Sequence, residues 1–369
     1  MEKLIKNFKG IFLSFKKDNY DFDFSPTILS EKIQKFPSWM EKQIDDEFKP
    51  FKNKKIDIDK TIKNLKEKKL LKDAWLIRIK ISNNKIKYQN YLPVKFYPRF
   101  IRLQQFFKKC RSKVSFPDAD FLLSIDDSFD NKKILSCLEA PVFCISKKIK
   151  NNKVILFPHV EWMGKNNYFF QEECKAALHV DWSSKVNKAF WIGTSTGNTN
   201  LEKNERFKII KLAKRYPDLI NASFSNLAHI SQNDQNYILE NYGLNKNIVP
   251  PKSQVEYKYL LAIDGNAFAG SFFWQLFSSS VILKNKSEHL EWYYNGITSD
   301  KHYLEYDSDI DLVGKINWLK DNDDKARQIT QNANTFANEH LINESIISYV
   351  YKLIDGQSKL LDKNTVSKK

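Results

Sequence analysis

The stretch from Lys258 to Leu283, KYLLAIDGNAFAGSFFWQLFSSSVIL, constrains this chain more than any other. An apolar run closes on Asp264-Gly265-Asn266, small residues follow, and aromatics then recur at helical spacing. That order is how a buried strand feeds a turn and then a helix N-terminus, where backbone amides suit an anionic ligand. The reading predicts an α/β core with a ligand-facing turn at a strand end, whereas an isolated Asp-Gly-Asn is more often a helix cap.

Length sets the scale. The 369 residues exceed what one hydrophobic core usually serves, so two domains are expected. With 42% hydrophobic and 14% aromatic residues the chain can bury real cores, and its polarity belongs to a charged surface. The net charge of +16 comes mostly from Lys spread through Lys/Asn/Ile-rich text. Such a field can steer a protein to anionic lipid or to phosphorylated and acidic substrates. No finger, helix-turn-helix or glycine-aromatic RNA-binding signature accompanies it, so nucleic acid is not an expected partner.

Cys110, Cys137, Cys144 and Cys174 lack CxxC spacing, which reads as reduced thiols. The opening MEKLIKNFKGIFLSFKKDN interrupts its apolar positions with Lys, so it lacks a signal-peptide core and a membrane-span length. An amphipathic helix is expected there, which allows peripheral contact with an anionic membrane from the cytoplasmic side. The six histidines form no HExxH and no close pair. Asp118-x-Asp120 and Asp307-x-Asp309 are two-residue matches of the kind an Asp-rich chain produces by chance, so no metal is expected. No GxSxG elbow supports a serine nucleophile.

Along the chain, residues 1–70 form an expected helical layer and 71–175 a first α/β lobe. Residues 176–353 form a second lobe with closing helices, and 354–369 a polar, frayed tail. Residues 74–91 alternate about a turn at Ser82-Asn83-Asn84, which predicts a hairpin. Phe121–Ile125 is an expected strand ending on Asp126-Asp127, and ligands sit at the carboxyl ends of strands in open α/β sheets. Lys188–Ile192 is another strand, followed by Gly193-Thr194-Ser195-Thr196-Gly197-Asn198, a loop slight enough for backbone N–H groups to approach phosphate. Trp292 and Tyr293 fall in an expected aromatic loop and are candidates for sugar contact, although large aromatics more often fill cores.

Taken in order, these pieces resemble the family 90 glycosyltransferases. The resemblance runs from about Phe116 to Leu341. It is carried by Pro117-Asp118-Ala119-Asp120-Phe121 with Asp127, Phe190-Trp191-x-Gly193 with Arg206, and the strand and turn from Lys258 to Asn266. Trp274, Ser278-Ser279-Ser280-Val281, Glu291-Trp292-Tyr293, His302-Tyr303, Asn334 and Phe336-Ala337 continue it. It implies a GT-B architecture, two Rossmann-like lobes facing across a cleft, and inverting transfer from a UDP-sugar without a metal or other cofactor.

Under that resemblance Asp127 is the expected catalytic base, with Asp126 as an acceptor contact beside Trp292 and Tyr293. The donor would be held by Gly193, Thr194, Ser195, Thr196, Arg206, Lys258, Asp264, Gly265, Asn266 and Ala267. Inverting transfer needs a base beside the attacking hydroxyl and donor groups beside the departing diphosphate, which suits these residue types. Two positions depart from the family: Ile192 and Phe273 stand where basic residues are usual. An apolar side chain cannot neutralise a diphosphate, so another cation must compensate or donor affinity falls. The expected acceptor is a lipopolysaccharide or other surface glycan or glycolipid. The alternatives are a protein O-glycosyltransferase and a non-catalytic glycan-binding homologue.

Overall fold

Asn83 and Asn84 take φ of 48° and 56°, the pair of left-handed conformations that closes a tight two-residue hairpin with the twist its strands require. The hairpin joins β1 (Leu76–Ser82) to β2 (Lys85–Asn90), as the alternation at 74–91 predicts. It belongs to a computed structural model that describes residues 22–93, 97–163, 180–247 and 249–366. The N-terminal segment expected to be amphipathic, Cys174 and the lobe boundary expected at 175 lie outside the described residues.

The chain divides into two compact units. One comprises residues up to 167 together with 343–369, and the other 168–342. In the first, β3 (Ala119–Ser124), β4 (Val142–Cys144) and β5 (Val154–Leu156) run parallel, and β1 joins them antiparallel in the order β2-β1-β3-β4-β5. The expected helical layer is α1 (Pro26–Gln34), α2 (Ser38–Phe48) and α3 (Ile58–Glu67), joined by α4 (Tyr97–Cys110). Ile62, Leu65, Leu76, Leu122, Val142 and Val154 share one core between α3 and the sheet. Buried Arg78 on β1 forks onto both oxygens of Asp120 (2.9 and 2.8 Å) and reaches Asp59 of α3. Asp118 Oδ1 accepts the Asn83 N–H at 2.7 Å. The Asp118-x-Asp120 pair therefore pins the hairpin.

The second unit is a fully parallel sheet. Its elements are β6 (Val186–Thr194), α5 (Glu205–Arg215), β7 (Ile220–Asn226), α6 (Gln232–Asn241), β8 (Tyr257–Ala262), α7 (Ser271–Gln275), β9 (Val281–Asn285) and β10 (Leu304–Tyr306). The helices α8 (Asp309–Asp321) and α9 (Asp323–His340) close it. Strands covered on both faces read as apolar runs, and Leu260, Leu261, Val281, Ile282 and Leu283 are all buried. The strand order β10-β9-β8-β6-β7 is doubly wound, and its direction of travel reverses between β6 and β8. In such sheets the crevice at the reversal is where ligands sit.

Two expectations change. The polar tail drawn from Ile354 is the second half of α10 (Asn343–Val366), which packs on β3, α1 and α2 of the first unit. Ile347, Val350, Leu353, Ile354, Gln357 and Leu360 form a buried stripe at helical spacing, and Gln357 Nε2 donates to the Asp120 carbonyl at 2.9 Å. The buried helix expected after the small residues that follow Asn266 begins at Ser271 but lasts only five residues. Among the described residues no helix is long and apolar enough to cross a membrane.

Candidate functional site

The reversal of strand order places two loops side by side at the carboxyl ends of β6 and β8. Thr194 to Gly197 leave the first strand, and Asp264 to Asn266 leave the second. Arg206, near the start of α5, joins them: Nη1 donates to the Thr194 carbonyl (2.8 Å) and to Thr196 Oγ1 (2.6 Å), and Nη2 to the Ile263 carbonyl (3.2 Å). Its guanidinium lies 5.7 Å above the ring of Trp191. Burial lowers the Arg206 pKa to about 10, with the Asp264 charge acting in the other direction.

Glycines allow this closeness. A Cβ on Gly265 would lie 2.7 Å from Arg206 Nη2, and one on Gly193 would lie 2.7 Å from the Trp191 ring. Gly197 has φ of 127°, which L side chains rarely adopt, and its N–H donates to Asn266 Oδ1 at 3.1 Å. Ser195 is buried, and its hydroxyl exchanges hydrogen bonds with the backbone of Ala228 (2.8 and 2.9 Å). It therefore fixes the loop, leaving Thr194, Thr196 and Gly197 at the crevice. Asp264 pairs with buried Lys284 at 3.0 Å, and its N–H donates to Asn285 Oδ1 at 2.9 Å. Ala267 is buried.

Three sequence candidates lie elsewhere. Lys258 sits near the amino end of β8, paired with Asp323 at 2.8 Å and lying 5.0 Å over the Trp182 ring, so it is not with the donor loops. Trp292 and Tyr293 are buried, 2% and 0% exposed, so neither is available to a sugar. Tyr293 packs edge-on to Phe273 at 5.6 Å and to Tyr294 at 5.0 Å, because these rings cover the short buried helix α7. Phe273 belongs to that cluster, so its apolar character serves the core.

The expected base belongs to the first unit. Asp126 and Asp127 follow the carboxyl end of β3. Arg99 Nη1, on α4, donates to Asp127 Oδ1 at 2.9 Å and to the Ile125 carbonyl at 2.8 Å, orienting a side chain 46% exposed. Asp126 Oδ1 accepts the Asp127 N–H at 2.7 Å, and burial pushes the Asp126 carboxyl up to about 6. The Asp127 carbonyl accepts from Ser146 Oγ at 2.5 Å, so both ends of the turn are held.

Four groups have no role assigned to them by the sequence. Arg99 is one. Buried Asn204 caps α5 and donates from Nδ2 to the carbonyls of Ser195 (3.0 Å) and Asn198 (2.9 Å), shaping the loop, and its place before a helical pattern was the available signal. Lys284 follows the apolar run Val281-Ile282-Leu283 and pairs with Asp264. Buried Glu291, joined by the Tyr293 hydroxyl at 3.2 Å, has its carboxyl pushed up by burial to about 8. Among the described residues no group of three or more His, Cys, Asp or Glu stands together as a metal site.

The profile of Glycosyl transferase family 90 matches residues 32–369. Zebrafish protein O-glucosyltransferase 2 is 26% identical over 267 residues, 70% of this chain and 51% of the relative. Human protein O-glucosyltransferase 1 is 24% identical over 271 residues, 69% of this chain and 65% of the relative. This chain thus spans about half the length of the first relative and under two thirds of the second. Among solved structures, Anabaena HepE in complex with UDP overlaps 64% of this chain and 78% of its own, at 10% identity and a TM-score of 0.38. With a family match that covers nearly the whole sequence, this chain belongs to glycosyltransferase family 90.

Proposed function

We propose that this protein transfers a sugar from a UDP-sugar to an acceptor hydroxyl, with inversion and without a bound metal. The observation that carries the reading is the meeting of Thr194–Gly197, Arg206 and Asp264–Asn266 at the strand-order reversal of a parallel sheet. Backbone N–H groups, backed by the positive charge of a guanidinium that the two loops hold in place, suit a departing diphosphate. Asp127 takes the proton of the acceptor hydroxyl. The freed oxygen forms its bond to the anomeric carbon from the face opposite UDP, and the bond to the diphosphate breaks.

The acceptor we favour is a surface glycan or glycolipid, which a basic protein can meet at an anionic bilayer. The names of the zebrafish and human relatives favour a second reading, a hydroxyl on a protein. Hydrolysis and binding of a UDP-sugar panel, with and without chelator, test the reading. Chelator-resistant turnover of one donor that Asp127→Asn abolishes is expected, with UDP affinity unchanged in the variant. A folded protein that binds no UDP would overturn it in favour of a non-catalytic homologue.

A further inference from the structure

The charges at the crevice are largely consumed by the protein itself. Arg206 directs Nη1 to Thr194 and Thr196 and Nη2 to Ile263, its Nε is buried, and Lys284 is paired with Asp264. Ile192, on the strand that leads to the Thr194–Gly197 loop, offers no charge. A diphosphate held there calls for a further donor.

His229 stands at this rim. It lies in the loop after β7, is exposed, and has φ of 65°, a left-handed backbone that a branchless or amide side chain would take at lower cost. Its Nδ1 lies 3.2 Å from Asn266 Oδ1. The same oxygen accepts the Gly197 N–H, and a backbone N–H can only donate, so the Asn266 oxygen is fixed at this position. Nδ1 must then carry the proton, and Nε2 points away from the bond that orients the ring. Loop position supports this: Ser195 ties the neighbouring Ala228 backbone to the β6 loop, so the imidazole is held against both halves of the crevice.

We propose that His229 is a recognition residue for the anionic diphosphate of the donor, an assignment that rests on the nucleotide-sugar reading above. As the imidazolium, the ring keeps Nδ1–H on Asn266 and offers Nε2–H and a positive charge to a phosphate oxygen, a charge-assisted hydrogen bond. It takes the place of the cation absent at Ile192.

The test compares UDP and UMP binding by calorimetry in wild type, His229→Asn and His229→Ala, with melting temperatures alongside. Asparagine accepts the left-handed backbone and can still donate to Asn266, but it has no atom in the place of Nε2. His229→Asn is therefore expected to fold as well as wild type while binding UDP at least about tenfold more weakly, with UMP changed less than about twofold. Wild-type UDP affinity in His229→Asn would show that the imidazole only packs. Equal weakening of UDP and UMP would move the contact off the diphosphate. If wild type binds neither nucleotide, the nucleotide-sugar reading falls first and this one with it.

Discussion

Replacing Gly265 with alanine isolates one steric requirement of the donor crevice. The backbone φ at Gly265 is ordinary, so alanine adds no conformational strain. Its Cβ would lie 2.7 Å from Arg206 Nη2, 2.9 Å from Cζ and 2.9 Å from Thr196 Oγ1, all closer than normal contact. Arg206 must retreat, and its bond to the Ile263 carbonyl, already 3.2 Å, breaks first. A hydrogen bond to a charged group contributes about 1.5–3 kcal/mol, and forced overpacking costs about 1–3 kcal/mol. A loss of about 2 kcal/mol in stability is expected, and a similar loss in binding would weaken UDP by about 10- to 30-fold. Gly314→Ala is the control: the residue is exposed within α8 and its Cβ meets nothing within 4 Å, so a gain of about 1 kcal/mol is expected. Urea unfolding followed by tryptophan fluorescence, with UDP titration, reads both. A Gly265→Ala protein with the wild-type midpoint and UDP affinity would refute the crowding argument.

Further perturbations address other parts of the molecule. Glu291, with its carboxyl raised to about 8, keeps a proton in the folded state that the unfolded chain has already released. Its contribution is full below the unfolded carboxyl value and is lost as pH rises towards 8, at a slope approaching about 1.4 kcal/mol per unit. Glu291→Gln should flatten that decline in a pH series of urea midpoints, and an unchanged slope would remove Glu291 as its source. Trp292→Ala should cost about 3–5 kcal/mol as a core deletion; a variant of normal melting temperature but raised acceptor KM would restore the sugar-contact reading. Ending the chain after Leu353 removes buried Ile354, Gln357 and Leu360, so the truncated protein should lose cooperative unfolding of its first unit, as measured by hydrogen exchange in β1 and β3. Full protection there would show that the second half of α10 is dispensable.

The second-unit strands were readable because strands covered on both faces lack polar alternation, and the Asn83-Asn84 turn because few residues accept positive φ. The donor loops were placed by Gly193, Gly197 and Gly265, whose missing side chains are a local signal of close backbone approach. Burial of Tyr293, on which Trp292 packs, was not readable, since it depends on Phe272 and Phe273, some twenty residues earlier, turning their rings towards the same space. Lys258 misled for a related reason: direction along a strand decides which end of the sheet a side chain serves, and Lys258 precedes the apolar run while Asp264 follows it. The stripe from Ile347 to Leu360 keeps a helical period in the sequence, but Lys and other polar residues interleave with it so densely after Ile354 that composition alone resembles a solvated tail.

The return of α10 to the first unit makes the second unit an insertion in the chain. Residues 168–342 are contiguous, whereas the first unit is assembled from two pieces that this stretch separates. During synthesis the second unit has its whole sequence available before the ribosome reaches Asn343, while β3 still lacks the helix that covers it. The order of folding is then opposite to the order of sequence: the carboxyl-side sheet can close first, and the amino-side sheet waits for the final helix.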